Sequence, residues 1–323
     1  METAPQPQLP LDNPTPTSLK RALASLGKVI ETDECPSSLR PAPANDDQPD
    51  FFVPSLYDIP VKDGVDLMDV AVFRLSKRQQ RKGDVLRYHL HGAEVEVTAG
   101  GYGMASVWDY DIVLMCISYL ADTVNRHRAG KGELPPRTFR PHVKDVLKFC
   151  RLSDGGKQYE AVERALDRLK NTTVKITKTN RNARLRATSG FGLIETYRVV
   201  SRSDTGRVSI VEIVIPDWIY EAVVTHDNPQ ILTVNPDYFL VDKGLGRFIY
   251  RLARKSAGVN SARYCFKTIY DRSGSAGTFK EFCRMLRQIV AANDLPDFHL
   301  TEEKGKDGPV LRMCARSALS SAA

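Results

Sequence analysis

The sequence has no apolar run long enough to span a membrane and no signal-peptide core at its start. Its six cysteines lie far apart without a C-x-x-C pair, and most of them fall inside apolar periodic runs. This spacing favours buried, reduced thiols over disulfides or a zinc site. We therefore expect a cytoplasmic protein with no membrane contact, no metal site and no cofactor.

Patterns typical of catalysis are also missing. Residues 154 to 170, DGGKQYEAVERALDRLK, look at first like a phosphate-binding loop, because glycines and a lysine open a helix. The full signature requires a glycine five positions before Gly156 and a Ser or Thr after Lys157, but the chain has Arg151 and Gln158 there. No paired carboxylates and no Ser/His/Asp arrangement stand out either. The sequence therefore predicts no catalytic residues, which favours a binding protein over an enzyme.

Charge is unevenly distributed along the 323 residues. The chain has 46 Lys and Arg against 39 Asp and Glu, a net charge of +7. The first fifty residues hold 4 basic and 8 acidic side chains, so the remainder holds 42 against 31, a net +11. A basic body favours a polyanionic partner, most often nucleic acid.

The same first fifty residues contain nine of the 19 prolines. Such a composition cannot bury enough apolar surface to offset the entropy of ordering. We expect a disordered proline-rich tail at residues 1–50, a first domain at 51–222 and a second domain at 223–323.

Apolar periodicity predicts the elements of the two domains. Strands are expected at 67–75, 84–91 and 93–99, followed by a helix at 107–128, a short helix at 140–150, a glycine turn, and the helix that opens at Gly156. Strands at 172–178, 192–200 and 207–215 close this unit. The second unit is expected to repeat the order, with helices at 244–258, 262–274 and 275–293 and a hairpin at 297–316 that turns at Gly308.

The two units can be superposed with a constant shift of 123 residues. Under this shift Lys144 falls on Lys267, Lys157 on Lys280, Tyr159 on Phe282, Arg164 on Arg287 and Leu166 on Ile289. Helix, short helix, turn, helix and hairpin is the order of a winged helix-turn-helix. The sequence therefore predicts an α+β protein with two tandem winged helix-turn-helix domains.

A basic stripe is expected on the outward face of the third helix in each domain. Arg can bind guanine O6 and N7 together and Lys can reach a phosphate, so these stripes suit a helix in the major groove of double-stranded DNA. The strand and loop after the first such helix add further cations, in a segment expected to form a wing or loop along phosphates. The predicted DNA-binding residues are Lys157, Gln158, Arg164, Arg168, Lys175, Lys178, Arg181, Arg184, Arg186, Lys280, Arg284 and Arg287.

Four stretches, VWDYDIVLMCISYL, RTFRPHVKDVLKFC, GGKQYEAVERALDRLKNTTVKITK and NPDYFLVDKGLGRFIYRLARKSAG, resemble the replication initiator protein A family of bacterial plasmids. The resemblance covers roughly residues 51 to 315. It implies an initiator that binds directly repeated origin DNA through two winged helices, opens adjacent AT-rich DNA and recruits host replication initiator or helicase proteins. It also implies that such a protein represses its own promoter as a homodimer and initiates replication as a monomer.

Two other functions compete with this interpretation. A winged-helix transcription regulator without replication activity predicts the same binding to duplex DNA. A metal-dependent nicking endonuclease would use His89 and His91, which share one face of a strand. Such enzymes also need a helical tyrosine nucleophile, commonly with a lysine three residues on, and none of Tyr119, Tyr159 and Tyr250 has that lysine.

Overall fold

The computed structural model describes residues 62–64, 68–90, 93–180, 185–201, 208–225 and 231–320. The tail predicted at residues 1–50 lies outside them. In the described part, no helix combines the length and the apolar character needed to cross a bilayer.

The described elements alternate between helices and strands along the chain. The first half contains β1 (Lys62–Gly64), β2 (Val85–Leu90), β3 (Ala93–Ala99), α1 (Tyr110–Arg128), β4 (Thr138–Phe139), α2 (Val143–Phe149), α3 (Gly156–Lys170), β5 (Thr172–Asn180), β6 (Leu185–Gly192), β7 (Thr196–Ser201) and β8 (Val208–Val214). The second half contains α4 (Asp217–Tyr220), β9 (Ile231–Thr233), α5 (Gly244–Ser256), β10 (Ser261–Cys265), α6 (Phe266–Ser273), α7 (Phe279–Ala292), β11 (Phe298–Gly305), β12 (Gly308–Ala315) and α8 (Arg316–Ser320). The helices expected at 107–128, 140–150, 244–258 and 275–293 are present, with shorter bounds.

Two units of the fold repeat one another in both sequence spacing and topology. Elements β10, α6 and α7 each begin 123 residues after β4, α2 and α3. Each unit also contains an antiparallel three-stranded sheet, in the order β4-β8-β7 and β10-β12-β11. In both sheets the strand before the short helix pairs with the last strand of the closing hairpin, as Thr138 with Val214 and Ser261 with Cys314.

The first unit contains one hairpin that the second lacks. Between α3 and α7 the shift is 123 residues, but between β7 and β11 it is 102 (Thr196 against Phe298). The difference of 21 residues is the length of the β5–β6 hairpin, Thr172–Gly192. This hairpin is not part of the three-stranded sheet β4-β8-β7 and belongs to a separate antiparallel sheet of order β2-β3-β5-β6. For the segment expected to form a wing or loop, the loop alternative is wrong at residues 185–190, because those residues form β6 of this hairpin.

The expected strand at 67–75 is also wrong. Residues 68–74 are fully or almost fully buried and run as an irregular segment between the two units. Its backbone bonds to both: the Ala71 amide donates to the Arg272 carbonyl at 2.9 Å, and the Arg74 amide donates to the Ala105 carbonyl at 2.9 Å. The apolar content of this segment therefore reflects burial on all sides and not pairing in a sheet.

A buried ion pair joins the first helices of the two units. Arg247 on α5 donates to Asp111 on α1 at 2.6 Å, and each side chain is only 4% exposed. The same guanidinium donates to the carbonyls of Phe239 at 2.7 Å and Val241 at 2.8 Å. Burial raises the pKa of Asp111 to about 7, and the charge of Arg247 opposes this rise. The ionised carboxylate therefore depends on Arg247.

Apolar packing continues around this pair. One turn along α5 from Arg247, the buried guanidinium of Arg251 lies 4.5 Å from the ring centre of Tyr110 on α1 and 4.8 Å from that of Phe73. One hydrophobic cluster includes buried residues of both units. The core thus crosses the predicted domain boundary at residue 222, so the two units pack as one body.

Replacing Arg247 with methionine should reduce the free energy of unfolding by about 3–5 kcal/mol, because Asp111 would stay buried without a partner. The double variant Arg247→Met/Asp111→Leu should recover most of that loss, since both charges are then removed. Urea unfolding of the parent and the two variants measures both differences. A loss of less than about 1 kcal/mol in the single variant would show that the pair does not hold the units together.

Candidate nucleic-acid interface

Helix α3 presents its charged face to solvent because its apolar positions recur on the opposite side. Val162, Ala165, Leu166 and Leu169 are buried in the core. The helix begins after Gly155, whose extended backbone (φ −157°) ends the preceding turn. Lys157 and Arg164 are exposed, and Gln158 is half-buried in the first helical turn.

Arg164 makes an ion pair that is easily exchanged. Its guanidinium lies 3.3 Å from the carboxylate of Glu160, one turn earlier on the same helix, and both side chains are more than half exposed. Exposed pairs of this spacing contribute only about 0.3–0.5 kcal/mol. Arg164 can therefore leave Glu160 for a phosphate or a base edge at little cost.

Arg168 lies on the same face of α3 as Arg164, but its side chain is mostly covered. Its guanidinium donates two hydrogen bonds to Asp109, at 2.8 and 2.7 Å, and the side chain is 19% exposed. Asp109 also accepts the Ser106 amide at 2.7 Å, so the pair ties α3 to the start of α1. The hydrogen bonds to Asp109 raise the pKa of Arg168. Arg168 still lines the surface groove that contains Arg164, but its pair with Asp109, 59 residues earlier, leaves its guanidinium less available to DNA than that of Arg164.

Helix α7 presents a matching outward face in the second unit. Thr278 caps the helix, since its hydroxyl accepts the Glu281 amide at 3.3 Å. Phe282, Leu286 and Ile289 are buried on the core side. On the other side, a shallow open groove follows the helix and is lined by Thr278, Lys280, Glu281, Arg284, Arg287, Gln288 and Ala291.

Both arginines of this groove are held by acids. Arg284 pairs with Glu281 one turn earlier, through two hydrogen bonds. Arg287 reaches across to Glu302 on β11 with donor–acceptor distances of 2.8 to 3.1 Å, and its guanidinium lies 5.7 Å from the ring centre of Phe266. The bidentate contact with Glu302 fixes the position of the Arg287 guanidinium, and the side chain stays about half exposed. Lys280 is exposed at the start of the helix.

Three of the remaining predicted cations lie on the four-stranded sheet, on β5 and β6. Lys175 is exposed on β5, with its ammonium 3.8 Å from Glu96, and Arg186 is exposed on β6. Lys178 is half-buried on the opposite face of β5, where its cross-strand neighbours are alanines. Arg181 and Arg184 lie outside the described residues.

Of the two histidines of the alternative nicking site, the structure describes only His89. His89 is 80% exposed on β2, with Nδ1 3.9 Å from Glu94, and His91 lies outside the described residues. Across the described ranges, no cluster of three or more His, Cys, Asp or Glu side chains could hold a metal ion.

One basic segment near α3 is absent from the predicted set. Lys82 and Gln80 line the same surface groove as Arg164, together with Gly101, Tyr102, Asp167 and Arg168. Its signal in the sequence is SKRQQRKG at residues 76–83, four basic residues without an acid. The sequence shows the charge, but it does not show that the segment lies beside α3.

Comparison with known proteins identifies the family. The profile of the family described as replication initiator protein A matches residues 62–300. The chain belongs to the replication initiator protein A family. A relative from Wigglesworthia glossinidia brevipalpis, named putative replication protein, is 28% identical over 223 residues, which are 68% of this chain and 78% of that protein. The resemblance drawn from the sequence motifs is confirmed.

Two crystal structures of domains 2 and 3 of RctB are similar to this member of the replication initiator protein A family. The selenomethionine derivative has a TM-score of 0.54 at 14% identity and covers 78% of this chain and 98% of its own. The other has a TM-score of 0.50 at 12% identity, with 77% and 95% covered. At such low identity the likeness concerns the fold alone, and it agrees with the expected mixture of helices and strands.

The different positions of the two arginines on α3 predict different effects of their removal. Arg168→Ala should lower the free energy of unfolding by about 2 kcal/mol, because it leaves the mostly buried Asp109 without its charged partner. Arg164→Ala should change it by less than about 0.5 kcal/mol, because its pair with Glu160 is exposed. Urea unfolding of the two variants side by side provides the measurement. Equal losses of unfolding free energy in the two variants would show that the pair of Arg168 with Asp109 does not hold α3 against the start of α1.

Proposed function

We propose that the chain initiates plasmid replication by binding repeated double-stranded DNA at the origin, as a DNA-binding protein and not as an enzyme. Its membership in the replication initiator protein A family supports a role in initiation. The observation that carries DNA binding is the pair of outward helix faces, in which Lys157 and Arg164 of α3 share the register of Lys280 and Arg287 of α7.

Each repeated unit, in this proposal, is a winged helix. Helix, strand, short helix, long helix and a closing hairpin, with the first strand paired to the last, is the arrangement expected of that motif. The long third helix of such a unit enters the major groove. Helices α3 and α7 are therefore the reading helices, and the β7–β8 and β11–β12 hairpins take the position of wings.

Arg164 and Arg287 are the proposed base readers. Both are exposed, both are long enough to bind guanine O6 and N7 together, and both are held by acids that DNA can displace. Lys157, Lys280 and Arg284 would bind phosphates beside them. Lys175, Lys178 and Arg186 lie on the four-stranded sheet, and in this proposal they would contact the DNA only where the duplex bends towards that sheet.

Initiation requires more than binding. We infer that copies bound to adjacent repeats distort soft DNA steps beside the site, and that the assembly recruits host replication initiator or helicase proteins. In this proposal the protein also represses its own promoter as a homodimer. It acts in the cytoplasm. A transcription regulator without replication activity would present the same helices, but membership in an initiator family favours initiation.

A minimal replicon tests the proposal. A plasmid that carries this gene and its flanking DNA should persist in a permissive host, and the double variant Arg164→Ala/Arg287→Ala should abolish its persistence, because both base contacts are lost. Lys131→Ala serves as the matched control, since Lys131 is exposed beyond the far end of α1 and should leave persistence unchanged. Transformation frequency and plasmid retention are the measurements.

Two outcomes would contradict the proposal. If the wild-type gene gives no persistent replicon although the purified protein binds its flanking DNA, the protein is a regulator and not an initiator. If the double variant replicates as well as the parent, the two helices do not read the origin.

A further inference from the structure

The segment Ser76 to Gly83, which we call the basic segment, connects the surfaces of the two units. It follows the buried segment 68–74 and precedes β2. Its sequence, SKRQQRKG, contains four cations and no acid. It runs beside the outward face of α3 at one end of the groove that contains Arg164.

The backbone of the basic segment is fixed by hydrogen bonds. The hydroxyl of Ser76 accepts the amides of Arg78 at 3.2 Å and Gln79 at 3.3 Å. The carbonyl of Gln80 accepts the Met104 amide at 2.9 Å. At Gly103 (φ +88°) any side chain would place its Cβ 2.5 Å from that same carbonyl, so only glycine permits the approach. The segment is thus held in one conformation before any ligand arrives.

Two of its four cations attach the segment to the second unit. The side chain of Arg81 is 11% exposed and donates to the carbonyl of Gly274, in the turn between α6 and α7. Lys77 forms an ion pair of 2.7 Å with Asp242, which lies shortly before α5. The basic segment therefore extends from the groove of α3 towards the turn that leads into α7.

The other two cations are uncompensated. Arg78 and Lys82 are exposed, and no acid among the described residues pairs with either side chain. Lys82 shares its groove with Arg164, the proposed base reader of α3. Two free cations on a fixed loop create a positive potential without the entropic cost of ordering a flexible chain on binding.

We propose that the basic segment binds the phosphodiester backbone of the duplex between the two reading helices, through Arg78 and Lys82. This inference rests on the proposed DNA binding and adds a contact that neither reading helix supplies. The ligand class is phosphate and not base edges, because the free charges sit on long side chains beside a reading helix instead of on it. An acidic protein partner is less well matched, since the segment adjoins the face already assigned to DNA.

Salt dependence separates such a contact from base reading. The probes are the duplex that the wild-type protein selects from a random 30-bp library (roughly three helical turns) and an unselected duplex of equal length. Each phosphate contact contributes about 0.9 to the slope of log K against log salt. Arg78→Ala/Lys82→Ala should lower that slope by about 1.8 and weaken binding roughly 60-fold at about 0.1 M salt, equally for both duplexes.

Three controls make the result interpretable. Lys82→Arg keeps the charge and should keep the slope. Lys131→Ala removes one charge near the C-terminal end of α1, whose 19 residues extend about 28 Å from the end near Asp109, and should also keep the slope. Arg164→Ala should instead narrow the ratio of affinities between the selected and unselected duplexes.

An unchanged slope in Arg78→Ala/Lys82→Ala, with wild-type binding intact, would overturn the inference and leave the proposed function standing. If the wild-type protein enriches no sequence from the library and does not bind the unselected duplex, both the inference and the proposed function are overturned. A loss confined to the selected duplex would show that the segment reads bases, which would also contradict the phosphate assignment.

Discussion

The buried ion pair between Asp111 and Arg247 links the first helices of the two units, inside the hydrophobic core that the units share. A carboxylate and a guanidinium that are each 4% exposed are costly to bury, and their attraction offsets that cost only when the geometry is met. Because Arg247 also bonds two carbonyls of its own unit before α5, its guanidinium is held in place, and a rotation of one unit against the other would break its contact with Asp111. The outward helices α3 and α7 belong to units that pack against one another, as the proposed binding to two neighbouring DNA grooves requires.

The two units differ by one hairpin, which gives the first unit an additional sheet. The β5–β6 hairpin, 21 residues long, is present in the first unit and has no counterpart in the second. Its strand β5 pairs with β3. The hairpin thus extends a sheet that begins with β2. Lys175 and Arg186 belong to this additional sheet, while the hairpin that corresponds to β11–β12 is β7–β8.

Local pattern was sufficient to predict much of the fold. Helix α3 and its counterpart α7 have strong apolar periodicity, so their existence, core faces and shift of 123 residues follow from spacing alone. Long-range contacts were not predictable in this way. Nothing near Arg168 in the sequence announces that Asp109 will bind it, and nothing in residues 185–190 marks them as the outer strand of a sheet that begins with β2. The apolar pattern of residues 68–74 predicts a strand that they do not form, because complete burial and strand pairing both favour apolar residues.

Hydroxyl-radical footprinting of one protein chain on its selected duplex tests the central claim most directly. Two rigidly joined reading helices should protect two stretches about 10 bp apart on one face of the DNA, corresponding to successive major grooves. Protection of a single short half-site per chain would contradict the claim that both units read the duplex together.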